Sequence, residues 1–154
     1  MTINRVLALL ALPAILAGSA TTAGAATLAV PPNDTMDTAA ELTVGRHVLD
    51  TREATRDNDA DSISEECGNI FSPPKGTVWY KVTATTDRVL TVDSAGSNYR
   101  VELIGVRKNP PFHSFDCKTK GARTTLNVKA GETVYLLSMT TAPAAGTLRL
   151  TVTG

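Results

Sequence analysis

The sequence has little cysteine, little histidine and no excess of charge. Two cysteines, Cys67 and Cys117, occur among 154 residues, so a disulfide-dense scaffold is excluded. Fifteen basic residues balance fifteen acidic ones, and without a concentration of Lys and Arg we expect no binding to nucleic acid. His47 and His113 are the only histidine bases, and neither lies in a catalytic motif.

One long apolar run is present, at the N-terminus, and it predicts a secretory signal peptide over residues 1–25. Arg5 supplies the positive start, an apolar stretch continues to Ala17, and Ala23-Gly24-Ala25 forms a small-residue cleavage site. The run is shorter than the ~20 residues needed to cross a bilayer, so we expect no membrane span after cleavage. The remaining 129 residues suit one secreted, extracellular, monomeric domain.

Export places the two cysteines in an oxidising compartment. The simplest arrangement is then a single disulfide between Cys67 and Cys117. Two free thiols or a metal pair are the alternatives, although no CxxC spacing supports metal. In the chain-entropy model, closing a loop of this span stabilises the fold by roughly 4 kcal/mol.

The mature chain is a series of short β-rich runs separated by turn signals, the pattern of β-sandwiches and β-barrels. In the clearest run, residues 77–84, Val78, Tyr80 and Val82 lie on one face. Residues 26–40 form an extended N-terminal segment with room for one helical turn, and no long helix is predicted. The predicted strands are residues 42–49, 77–84, 87–93, 99–106, 124–128, 133–139 and 147–152.

Residues 50–76 form a connection long enough to suggest a function. Within it, Asp57, Asp59 and Asp61 alternate, and alternate carboxylates in a loop can converge on calcium. Ser62 and Gly68 occupy positions where an EF-hand would carry Gly and Glu, so a solvated acidic loop is the alternative. Asn33 and Asp34 are further calcium candidates, or else a turn or cap.

Aromatic side chains offer a second kind of candidate site. Trp79 and Tyr80 are adjacent on a strand, so one is expected in the core and the other outside it or beneath the long connection. Phe112 and Phe115, which flank His113, form either a contact patch or part of the packing against the sandwich. His113, Ser114 and Asp116 lie too close together in sequence to act as a catalytic triad without unusual folding.

Short motifs in a fixed order resemble those of the bacterial pre-peptidase C-terminal domain. They cover most of the chain after residue 31 and agree with the strands that periodicity predicts. The motifs are PND at residues 32–34, AA at 39–40, EAT at 53–55, VWY at 78–80 with Val82, TVD at 91–93, GSNY at 96–99, AGETVY at 130–135 and GTLRLTV at 146–152.

This resemblance implies an antiparallel jelly-roll-like β-sandwich of about seven to eight strands, covering residues 41–154. It also implies an accessory role in secretion, processing or attachment to substrate, although from this sequence we expect no catalytic domain beside the sandwich. Related modules hold calcium, and Asn33 and Asp34 match that pattern without its preceding glutamates. No cofactor is therefore expected, with calcium left as an alternative.

The sequence thus predicts a secreted, non-catalytic binding or accessory module whose partner is an extracellular protein or polysaccharide. A small secreted protease inhibitor is the alternative, presenting residues 109–117 as a disulfide-anchored substrate mimic. A minimal hydrolase is a third hypothesis. The sequence counts against it, because it contains no recognisable nucleophile motif such as GxSxG.

Overall fold

The computed structural model describes residues 28–66, 75–108, 113–118, 123–140 and 145–154. These residues contain nine strands, one α-helix and one 3-10 turn, Met36–Thr38. The helix, α1, is Asn58–Glu66. The strands are β1 (Ala40–Glu41), β2 (Gly45–Asp50), β3 (Gly76–Thr83), β4 (Arg88–Asp93), β5 (Glu102–Arg107), β6 (His113–Lys118), β7 (Arg123–Val128), β8 (Thr133–Thr140) and β9 (Thr147–Thr153).

The strands form two sheets, so the predicted all-β sandwich is confirmed. One sheet has five strands in the order β1-β3-β8-β5-β6, and the other has four in the order β2-β9-β4-β7. All pairings are antiparallel except that of β1 with β3, where Ala40 lies opposite Tyr80 in a parallel pair. Within the described residues, no helix is long and apolar enough to cross a membrane.

Two of the nine strands were not predicted from the sequence. β1 has only two residues, too few for an alternating pattern to be visible. β6 lies between the predicted strands 99–106 and 124–128, where no strand was predicted, and it pairs with β5 across a register shift between Gly105 and Val106. The count therefore exceeds the predicted seven to eight.

The main core lies between the two sheets. Leu90 and Val92 of β4 and Leu148 and Leu150 of β9 face the five-stranded sheet, where they belong to the same buried cluster as Leu103 of β5. The four residues of β4 and β9 alternate with more exposed neighbours, as expected when one face of a sheet is buried.

A second core lies on the opposite side of the five-stranded sheet. Trp79, Ile104, Leu137 and Met139 pack there beneath residues of the N-terminal segment and of α1. The central strands of this sheet are therefore buried on both faces, which explains why β3 and β5 are almost continuously buried. Tyr80 points into the main core, so the predicted division between Trp79 and Tyr80 is confirmed.

Helix α1 corrects the prediction that residues 50–76 are an unstructured connection. Its sequence, NDADSISEE, places Ala60, Ile63 and Ser64 on one buried face, because residues three and four apart share a side of a helix. The alternating carboxylates that suggested a cation loop are the polar residues of this helix and of its start. The short apolar face is the signal that sequence reasoning missed.

Candidate binding face

The predicted calcium ligand Asp57 lies at the start of α1, where its carboxylate caps the helix. Its Oδ1 accepts a hydrogen bond from the Asp59 amide at 3.1 Å, and its Oδ2 accepts one from the Met36 amide at 3.1 Å. An acidic side chain that accepts from the second helical N–H is a preferred N-cap. Asp57 thereby joins α1 to the N-terminal segment.

Asn33 and Asp34 fasten the N-terminal segment to β3. Asn33 accepts from the Trp79 amide through its backbone oxygen at 2.8 Å and donates from Nδ2 to the Trp79 carbonyl at 2.8 Å. Asp34 accepts from both the amide and the hydroxyl of Thr55. The Oδ1 atom of Asn33 is buried and has no partner among the described residues.

Asp61 and Asp59 complete the predicted calcium set. Arg56 binds the Asp61 carboxylate with its Nε at 2.8 Å from each oxygen. Burial raises the pKa of Asp59, and the negative charges of Asp57 and Asp37 raise it further. Among the described residues, no three His, Cys, Asp or Glu side chains form a group that could hold a metal ion.

The two histidines lie on different strands and in different surroundings. The Nε2 of His47 is 2.7 Å from the carbonyl oxygen of Thr43, and its ring meets Tyr80 edge-on at a centroid distance of 6.1 Å. His113 is exposed and lies opposite Arg107 in the pairing of β6 with β5. Cys67 and Phe112 lie outside the described residues, and for Cys117, Ser114 and Phe115 only the backbone, in β6, is described.

Part of the predicted inhibitory loop also lies in β6. Residues 113–117 pair with β5 over most of their length, so this part is a sheet strand. Residues 109–112, the remainder of that loop, lie outside the described residues. The predicted signal peptide, residues 1–25, lies outside them as well.

The outer face of the four-stranded sheet is exposed in the part of the chain that the structure describes, whereas the N-terminal segment and α1 cover the outer face of the other sheet. Its side chains are exposed or half-buried and include Val48 and Val89, which are 61% and 54% exposed. One row of outward residues crosses all four strands, because the register places Arg46, Thr151, Asp93 and Arg123 side by side. We call this surface the open face.

A concavity of about 250 Å³ lies on the open face where β2 and β9 meet. The loop of residues 94–97 forms its wall, since Gly96 lies against the Arg149 side chain. Ser97 fixes this wall, because its Oγ accepts from the Arg149 amide at 2.9 Å and donates to the Arg149 carbonyl at 3.3 Å. The lining residues are Arg46, His47, Val48, Gly96, Arg149, Leu150 and Thr151.

Among solved structures, the chain is similar to the 1.0 Å crystal structure of the pre-peptidase C-terminal domain of collagenase from Bacillus anthracis. The similarity covers 75% of this chain and 94% of that chain, with a TM-score of 0.42 and 12% sequence identity. No protein-family model matches the chain, and no curated protein matches it. The similar domain is of the kind that the sequence motifs resemble.

Proposed function

We propose that this protein is an exported, non-catalytic binding module of the pre-peptidase C-terminal type, and that it contacts its ligand through the open face. The leader-like residues 1–25 support export. The single observation that carries the binding surface is the asymmetry of the sandwich. The central strands of one sheet are buried on both sides, whereas the other sheet presents an outer face with a concavity.

The chemistry of the open face supports this role. Val48 and Val89 provide apolar contact area, and threonines on three adjacent strands, Thr91, Thr125 and Thr153, add hydroxyl groups. A binding surface typically combines apolar area with a few polar groups that fix the orientation of the ligand. The strands hold these side chains at fixed spacings, so the face is organised before a ligand arrives.

Co-sedimentation with insoluble extracellular polymers tests the proposal. The panel contains an acidic polysaccharide gel, a neutral polysaccharide and a fibrillar protein, and the variants are Val48→Asp and Val89→Asp. We expect at least one polymer to retain the protein and both variants to weaken retention by about tenfold, because each places an unpaired charge in the contact area. Leu28→Asp is the matched control, since Leu28 is also exposed but lies in the N-terminal segment.

Thermal melts of all three variants establish that each remains folded, as expected for substitutions at exposed positions. The proposal fails if no polymer retains the protein. It also fails if a polymer retains the parent protein and both open-face variants equally, because the contacts then lie elsewhere.

A further inference from the structure

The guanidinium groups of two arginines on the open face have no acidic partner among the described residues. Arg46 and Arg149 both line the concavity, and the structure gives neither guanidinium an acidic group within 4 Å. The neighbouring acidic groups are already paired, Asp50 with Arg52 and Asp93 with Arg123 at 3.2 Å. The concavity therefore carries an uncompensated positive charge.

The strand register brings these arginines together. Arg46 lies opposite Thr151, and Arg149 lies opposite Val48, so the two arginines are diagonal neighbours on antiparallel strands. Diagonal positions are about 7–8 Å apart, within reach of long side chains. Both guanidinium groups can thus approach one ligand from two sides.

The remaining lining residues narrow the class of ligand. Val48 presents an apolar surface, Thr151 a hydroxyl group, and Gly96 borders the Arg149 side chain. A guanidinium pairs with a carboxylate through two parallel hydrogen bonds. A sugar acid offers a carboxylate, hydroxyl groups and an apolar ring face together, whereas an acidic peptide side chain offers a carboxylate on a short apolar stem. The concavity matches the sugar acid more fully.

We propose that the concavity between β2 and β9 binds one carboxylate-bearing sugar unit of an acidic polysaccharide. Arg46 and Arg149 hold the carboxylate, Thr151 bonds a ring hydroxyl, and Val48 packs against the apolar ring face. The Ser97 hydrogen bonds to β9 keep the wall of the site in place. This inference rests on the proposed function and names its ligand class.

The probe is an oligogalacturonate of three units, titrated into the isotope-labelled protein while amide chemical shifts are recorded. We expect shifts on β2, β9 and residues 94–97, and about tenfold weaker binding for Arg46→Gln and for Arg149→Gln, equivalent to about 1.4 kcal/mol each. Arg88→Gln is the matched control, because Arg88 is exposed on β4 outside the concavity. Binding is also expected to weaken as salt is raised from 10 to 150 mM.

Three further ligands separate the possible outcomes. The methyl-esterified trimer keeps the ring and removes the charge, so we expect it to lose binding as the arginine variants do. Triglutamate carries the charge without the ring, and binding as tight as that of the sugar acid would overturn the sugar assignment. Unchanged binding by Arg46→Gln and Arg149→Gln would overturn the proposal as a whole.

The neutral trimer of glucose distinguishes failure of this inference from failure of the proposed function. If the neutral trimer shifts the amide resonances of the open face as much as the sugar acid does, the charge inference is wrong while the open face remains the binding surface. If neither sugar nor any polymer of the panel perturbs the open face, both proposals fail together.

Discussion

Replacing Asp57 by alanine separates two roles for this carboxylate, a structural cap and a calcium ligand. The variant removes the acceptor for the Asp59 amide at the start of α1 and the acceptor for the Met36 amide. Loss of an N-cap costs about 1 kcal/mol. Leaving a buried amide without its acceptor costs about 1–3 kcal/mol more, and Met36 is only 1% exposed. We therefore expect the free energy of unfolding to fall by about 2–4 kcal/mol.

Urea denaturation, with and without calcium, measures this loss. The capping role predicts the same loss in calcium and in chelator, and it predicts no calcium effect on the parent protein, because chain donors already engage Asp34, Asp57 and Asp61. Asp37→Ala is the control. Its carboxylate is 84% exposed and pairs with Lys108, so we expect a change below about 0.5 kcal/mol.

Two results would refute this reasoning. One is an Asp57→Ala variant as stable as Asp37→Ala, which would mean that the cap contributes nothing. The other is calcium stabilisation of the parent protein that disappears in Asp57→Ala, which would make the carboxylate a metal ligand.

Three more predictions concern the second core, a buried acid and the cysteines. Ile63→Ala should destabilise the protein by about 2–4 kcal/mol in urea denaturation, because Ile63 is fully buried against the five-stranded sheet; a loss below about 1 kcal/mol would mean that α1 is not docked there. Burial raises the pKa of Glu102 despite its pairing with Arg100, so its charged form is disfavoured in the folded state. Glu102→Gln should therefore be more stable than the parent at pH 7, with the difference vanishing below about pH 4; reduced stability at pH 7 would contradict this. If Cys67 and Cys117 form a disulfide, alkylation without reduction should leave the intact mass unchanged, and a gain of two alkyl groups would show free thiols.

The sandwich could be predicted from the sequence because alternation is visible on its half-buried strands. On β9, apolar and polar residues alternate along the whole strand, and on β4 Thr91 separates the buried Leu90 and Val92. A period of two identifies a half-buried strand. Between β7 and β8, Gly131 has a φ of 78°, a conformation that favours glycine.

Helix α1 could not be predicted in the same way, because its buried face consists of three residues. Carboxylates dominate its first turn, and their role as cap and ion-pair partner depends on Met36 and Arg56, which lie outside the helix. Side chains of this kind look alike in sequence whether they bind a cation or a backbone amide.

The arginines of the open face were missed for a related reason. Arg46 and Arg149 are 103 positions apart in the chain, and only the pairing of β2 with β9 makes them neighbours. Each alone is an ordinary outward residue of a strand. The alternation on β9 does predict that Arg149 faces solvent, but the register that joins it to Arg46 depends on the whole sheet order.

Hydrogen–deuterium exchange of the protein, free and bound to polygalacturonate, tests the location of the binding surface most directly. The account predicts slower exchange in β2, β9 and residues 94–97, with exchange in α1 and in residues 28–39 unchanged. Slower exchange confined to α1 and the N-terminal segment, with the open face unaffected, would contradict it.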